Sequence, residues 1–85
     1  MRALVLKRQY IVTLHADEEL DADGLSVYHL ESAVLTGKIA ERQADPATGE
    51  QKYRVTGAAL DGREIETVAK ISVTGKLVFI TAYAL

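Results

Sequence analysis

The sequence predicts one α+β domain over residues 1–85, with two to three short N-terminal helices packed on one face of a four-stranded antiparallel sheet. The length of 85 residues and the hydrophobic content of 48% are those of a single globular domain. Apolar residues recur at helical spacing before Gly37, whereas β-branched residues alternate with polar residues after it. A run of helices followed by a run of strands is typical of the α+β class.

Helical patterns occupy the first part of the chain. Three segments are predicted as helices: Met1–Gln9, Leu14–Ala22 and a third that begins after Ser26 and ends at Gly37. Tyr10–Val12, between the first two, is predicted as an extended link. Thr13 and Ser26 are expected to be N-caps, because their hydroxyls can accept a hydrogen bond from a free amide of the first turn.

Four strands are expected after Gly37. They are Lys38–Gln43, Gln51–Leu60, Arg63–Val73 and Lys76–Leu85. Asp61-Gly62 and Thr74-Gly75 are predicted to be two-residue hairpin turns, and short turns make neighbouring strands antiparallel. Counting back from these turns places Tyr53 opposite Lys70, and Glu66 opposite Tyr83.

This register divides the side chains between two faces, because side chains alternate along a strand. The face expected under the helices carries Ile65, Ala69, Ile71, Val78, Ile80 and Ala82. The open face is expected to carry Tyr53, Val55, Glu66, Val68, Lys70, Phe79, Thr81 and Tyr83. A bulge of one residue would exchange part of these sets.

Composition excludes several classes of protein. The net charge of −2 is not that of a strongly basic, DNA-coating protein. The absence of cysteine excludes a disulfide scaffold and thiolate zinc sites. No apolar stretch approaches the roughly 20 residues that a membrane-crossing helix needs. We therefore expect a cytoplasmic protein without a membrane partner.

Titratable and aromatic side chains of the predicted open face are the candidate functional residues. Lys70 could hold a phosphate beside Tyr53, and Glu66 lies on the same face as Tyr83. The alternative is an exposed sheet face with ordinary cross-strand packing pairs. His15 is the further candidate, because histidine is the side chain that ordinarily titrates near neutrality. His15 lies at the start of a predicted helix, and the carboxylate of Glu19, one turn later, can bind one of its ring nitrogens.

A modest basic cluster is expected where the first two strands pair. Arg42, Lys52 and Arg54 could together bind backbone phosphates, although a solvated strand edge has the same composition. The spacing of the histidine and acidic residues matches no zinc motif, so neither a metal nor another cofactor is expected.

The segment from Thr13 to Ser26, TLHADEELDADGLS, resembles the T-x-H-A-x-E-E-[ML]-x-x-D-G-[LI]-S stretch of the domain-of-unknown-function family numbered 4258. The likeness extends through nearly the whole chain. It includes Leu30, Ala33, Thr36-Gly37, Ile39–Glu41, Lys52–Val55, Gly57, Ile65–Ile71 and Thr74–Tyr83.

The resemblance implies a small α+β domain similar to the RelE/MqsR-like ribonuclease toxins. Members with a lysine at the position of Lys70 resemble toxins that are partnered by a zinc-finger antitoxin. Cleavage of messenger RNA by such toxins needs no metal, because the RNA 2′-hydroxyl attacks the neighbouring phosphate. We expect the catalytic residues to be His15, Glu66, Lys70 and Tyr83, and the RNA-binding residues to be Lys52, Tyr53 and Arg54.

A non-catalytic interaction module is the alternative hypothesis. Such a module would form a homodimer or bind another chain through the edge of its sheet. The predicted last strand, Lys76–Leu85, ends in apolar residues and is the expected exposed edge.

Overall fold

Three helices and five strands follow one another in the computed structural model, which describes all residues from Met1 to Leu85. In chain order they are α1 (Arg2–Leu6), β1 (Tyr10–Val12), α2 (Leu14–Ala22), α3 (Val27–Thr36), β2 (Lys38–Ala44), β3 (Gln51–Ala58), β4 (Glu64–Ile71) and β5 (Leu77–Ala84). The α+β class is confirmed. The longest helix, α3, has 10 residues, so no helix has the length or the apolar content to cross a bilayer.

The sheet has five strands in the order β1-β5-β4-β3-β2, and β1 runs parallel to β5. The prediction of four antiparallel strands is therefore wrong in strand number and direction. Tyr10–Val12, predicted as an extended link, is extended but forms a strand, and its partner β5 is too distant in sequence for a local pattern to indicate the pairing. With β1 in place, β5 lies inside the sheet, so it is not the predicted exposed edge.

Both hairpin loops of the C-terminal half are one residue longer than predicted. The amide of Ala59 donates to the Arg63 carbonyl at 2.7 Å, and the amide of Ser72 donates to the Lys76 carbonyl at 3.0 Å. Each loop thus has three residues and ends in a left-handed glycine, Gly62 at φ 88° or Gly75 at φ 85°.

The longer first loop shifts the register between β3 and β4 by one residue. Tyr53 lies opposite Ala69, and Val55 lies opposite Thr67. The predicted pairing of Tyr53 with Lys70 is therefore wrong. A slip of one residue turns every side chain of a strand to the other face, so β3 presents the opposite set from the one expected.

A bulge in β5 offsets the longer loop of the second hairpin, so the predicted register holds beyond the bulge. The pairing shifts by one residue between Phe79 and Thr81, which leaves Ile80 unpaired. Beyond the bulge, Glu66 lies opposite Tyr83 as predicted. The Thr81 hydroxyl accepts from the Val68 amide at 3.2 Å, so a side chain replaces part of the interrupted ladder.

The helices cover one face of the sheet, and the core lies between them. The buried sheet residues on this face are Val55, Ile65, Thr67, Ala69, Leu77, Phe79 and Ala82. The placement of Ile65, Ala69 and Ala82 under the helices is thus confirmed. Tyr53, Val55 and Phe79 were wrongly assigned to the open face. Val78 was wrongly assigned to the helix face, because it lies opposite Lys70.

The helix boundaries follow from side chains that satisfy free backbone amides. The Thr13 hydroxyl accepts from the Ala16 amide at 3.1 Å and begins α2 as predicted. At the start of α3, His29 Nδ1 accepts from the Ser26 amide at 3.1 Å. α1 ends at Leu6, three residues before the predicted end.

Candidate functional site

Four charged or hydrogen-bonding side chains form a connected network on the open face. The Tyr83 hydroxyl donates to Oε2 of Glu66, and Arg54 Nη1 donates to Oε1 of the same carboxylate at 2.9 Å. Arg54 Nη2 also donates to Glu41 Oε2 at 3.3 Å. Glu41, Arg54, Glu66 and Tyr83 are called the open-face network below. They come one each from the four neighbouring strands β2, β3, β4 and β5, which the sheet order brings side by side.

The hydrogen bonds of the network shift the pKa of its members in opposite directions. The hydrogen bond from Tyr83 and then that from Arg54 hold the pKa of Glu66 below its usual range. The same bond, with partial burial, raises the pKa of Tyr83, because the phenolate would face a carboxylate. At neutral pH the network therefore contains an ionised Glu66 and a protonated Tyr83.

Two lysines lie side by side further along the same face. Lys52 on β3 is directly opposite Lys70 on β4. Like charges at directly opposed positions destabilise a sheet. Only Glu50 offsets them by direct contact, with its Oε2 at 3.5 Å from Lys70 Nζ. A cavity of about 440 Å³ opens here, and Asp45 also lines it.

Lys70 does not touch the open-face network. It is four residues from Glu66 along β4, which corresponds to about 13 Å along a strand. Arg54 lies opposite Val68, the residue midway between the two. The lysines and the network therefore form one row across the open face, and the predicted residues Lys52, Arg54, Glu66, Lys70 and Tyr83 all belong to it.

His15 lies at the start of α2, one turn before Glu19 on the same helix. Its Nε2 is 3.3 Å from Glu19 Oε1, and its side chain is 67% exposed. Glu19 Oε1 also accepts from the backbone amide of Ala82 at 3.1 Å. Glu19, which contacts His15, thus also binds the backbone of Ala82, the residue before Tyr83. The Glu19 carboxylate is close enough to raise the pKa of Tyr83 further.

Glu19 of α2 and Asp23, the residue directly after this helix, have a structural role that the sequence did not predict. β1 pairs only with Leu77–Phe79, so the outer amides of the rest of β5 need other acceptors. Glu19 accepts from the Ala82 amide, and Asp23 Oδ2 accepts from the Ala84 amide at 2.8 Å. The four-residue spacing of these carboxylates on one helix face was the available signal.

Tyr53 is separated from the other candidate residues. Its neighbours in the ladder are Ala69 and Arg42, both on the helix side of the sheet. The Arg42 guanidinium lies 5.8 Å from the centre of the Tyr53 ring. Tyr53 faces the helix side, rather than the predicted open face, because the β3–β4 loop has three residues instead of two. No three histidine or acidic side chains converge closely enough to hold a metal ion.

Comparison with known families identifies the chain. The family described as Domain of unknown function (DUF4258) matches residues 12–84. The matched range includes α2, α3, β2 to β5 and every member of the open-face network. The chain therefore belongs to this family, as the sequence pattern predicted. No curated protein and no solved structure matches it.

Proposed function

We propose that this member of the family is a toxin-like endoribonuclease that binds messenger RNA on its open face and cleaves it without a metal. The observation that carries the proposal is the row of side chains on that face. Three cations, Lys52, Lys70 and Arg54, lie in line with the hydrogen-bonded pair of Glu66 and Tyr83.

The opposed lysines support the binding of a polyanion. An RNA strand along the row would bring phosphates to Lys52 and Lys70 and would offset the repulsion between the two ammonium groups. Because Lys70 lies about 13 Å from Glu66, it would hold a phosphate next to the one that reacts. Lys70 is therefore a binding residue in this proposal.

The network and His15 supply the groups that the reaction requires. A base removes the proton of the RNA 2′-hydroxyl, whose oxygen attacks the adjacent phosphorus. The bond from phosphorus to the 5′-oxygen breaks, and that oxygen takes a proton from an acid. His15 is the proposed base. Tyr83 is the proposed acid, oriented by Glu66, while Arg54 stabilises the negative charge on the phosphate.

The same resemblance to the RelE/MqsR-like toxins leads us to propose a zinc-finger antitoxin as the partner and the cytoplasm as the location. Such a partner would need to cover the row of Lys52, Lys70 and Tyr83 to neutralise the protein.

Substitution of Tyr83 tests the proposal. Tyr83→Phe removes the hydroxyl group, and with it the proton to be donated, and keeps the ring. We therefore expect growth arrest on induced expression of the wild-type chain and none with the variant. Loss of one acid–base group typically lowers the rate by about 10²–10⁴-fold. Cleavage of a purified RNA by the isolated protein is the direct measurement.

Tyr28→Phe is the matched control, because Tyr28 is 55% exposed and its ring is contacted by Arg8 rather than by the network. We expect it to arrest growth as the wild type does. Circular dichroism establishes that both variants fold. Wild-type protein that leaves growth and RNA unaffected, or a fully active Tyr83→Phe variant, would contradict the proposal.

A non-catalytic interaction module remains the second candidate function, and the position of β2 favours it. β2 is one of the two edge strands of the sheet, and all 7 of its residues are exposed. The edge predicted for this role, β5, lies between β1 and β4. Either a second copy or another chain would therefore bind at β2.

A further inference from the structure

The outer edge of β2 has backbone groups free to pair with another strand. None of its residues makes a backbone hydrogen bond outside the ladder with β3. The amide of Asp45 donates to the Glu50 carbonyl across the end of this hairpin at 2.9 Å. Inward and outward residues alternate in an antiparallel pair, so Arg42 and Ala44 direct their amides and carbonyls away from β3.

An apolar groove lies beside this edge on the helix side. It has a volume of about 590 Å³, and five of its eight lining residues are hydrophobic. Ile39 belongs to it and is 55% exposed, although its cross-strand partner Val55 is buried. A strand that paired with β2 would place every second side chain on the helix side, where the groove could accept it.

The charges around the groove are all of one sign. Arg2 and Lys38 line it, and none of its eight residues is acidic, although the whole chain has a net charge of −2. Arg2 Nη2 donates to the Gly37 carbonyl at 3.1 Å, which holds the guanidinium at the groove. Electrostatic complementarity therefore favours an acidic occupant.

We propose that β2 binds an extended peptide segment of another protein, which pairs with the free edge, inserts an apolar side chain into the groove and places Asp or Glu residues near Arg2 and Lys38. The inference deepens the second candidate function by naming the surface and the chemistry of the partner. It is separate from the endoribonuclease proposal, because Ile39 and Val55 of the groove lie on the helix side of the sheet, whereas Glu66 and Tyr83 lie on the open face.

Selection from a library of random peptides tests this inference. The probes are peptides long enough to span the 7 residues of β2, selected on the full-length chain. We expect the selected peptides to alternate apolar and other residues and to carry carboxylates. Their dissociation constants are then measured for the wild type and three variants, each verified as folded by circular dichroism.

The variants test the backbone edge of β2 and the charged groove separately. Ala44→Pro removes one outward amide, and proline is tolerated at a strand edge; we expect affinity to fall about tenfold. Lys38→Glu reverses a charge at the groove, and we expect a loss of about fivefold. Lys76→Glu, at the residue directly before β5, is the matched control and should bind as the wild type does.

Three results would overturn the inference: no selected peptide, selected peptides that bind Ala44→Pro and Lys38→Glu unchanged, or full competition by a single-stranded RNA. The last would assign the groove to nucleic acid. None of these binding measurements depends on RNA cleavage or growth arrest, so failure here leaves the endoribonuclease proposal standing.

Discussion

Glu66 is the residue on which the open-face network depends. Its two oxygens accept from Arg54 and Tyr83, and its side chain is only 13% exposed. The two donors stabilise the ionised carboxylate, and their effect on its pKa outweighs the opposing effect of partial burial. The same contacts that orient Tyr83 therefore also contribute to the stability of the sheet.

The lowered pKa of Glu66 predicts a loss of stability in acid. The unfolded chain takes up the proton first, near the ordinary value of 4.5, so the contribution of Glu66 is present above that pH and is lost as pH falls through the folded pKa. Glu66→Gln should lower the free energy of unfolding at neutral pH by about 1–3 kcal/mol. The substitution should also make the free energy of unfolding, measured by urea denaturation, depend less steeply on pH below 4.5.

Glu18→Gln is the control for this measurement, because Glu18 is exposed and its side chain makes no hydrogen bond or ion pair. Its acid dependence should match the wild type. If Glu66→Gln lost stability in acid as steeply as the wild type does, Glu66 would not be the titrating group.

The sequence allowed most of these residues to be identified, but not their contacts. Glu66 and Tyr83 were paired correctly, because the bulge at Ile80 compensates for the longer loop before β5. Tyr53 was misplaced, because Asp61-Gly62 can form a two-residue turn or the last two positions of a three-residue loop. Nothing local in the sequence distinguishes these turns.

At the scale of elements, α2 protects the part of β5 that β1 leaves uncovered. Thr13 contributes as well, since its hydroxyl donates to the Ile80 carbonyl at 3.0 Å while it caps the helix. The helix itself was predicted with its correct bounds, Leu14–Ala22, because its cap and its length are local features. Its role at the strand edge is a long-range feature and could not be predicted.

Removal of one of these carboxylates should loosen the end of β5. Asp23→Ala leaves the Ala84 amide without its acceptor, so we expect the free energy of unfolding to fall by about 1–3 kcal/mol. Relative to the wild type, the variant should show its largest increase in amide hydrogen exchange at Ala84 and its neighbours. Asp21→Ala, in the last turn of α2 and without a side-chain hydrogen bond, should change stability little. Equal effects of the two substitutions would refute the role of Asp23.

At the scale of the molecule, the helices and the edge contacts leave two surfaces free. One is the open face with its row of cations and the pair of Glu66 and Tyr83; the other is the edge of β2 with its groove. The α+β class could be predicted from the change of pattern at Gly37. The fifth strand could not, because a three-residue parallel pairing depends on residues separated by most of the chain.

An NMR titration of the full-length chain with a 2′-O-methyl RNA oligonucleotide tests the central claim most directly. This RNA retains its phosphates, but its blocked 2′-oxygen cannot attack, so binding is observed without cleavage. We expect saturable shifts of the amides of Lys52, Arg54, Lys70 and Tyr83, weakened by added salt. No saturable shifts, or shifts confined to α3 and the edge of β2, would contradict RNA binding by the open face.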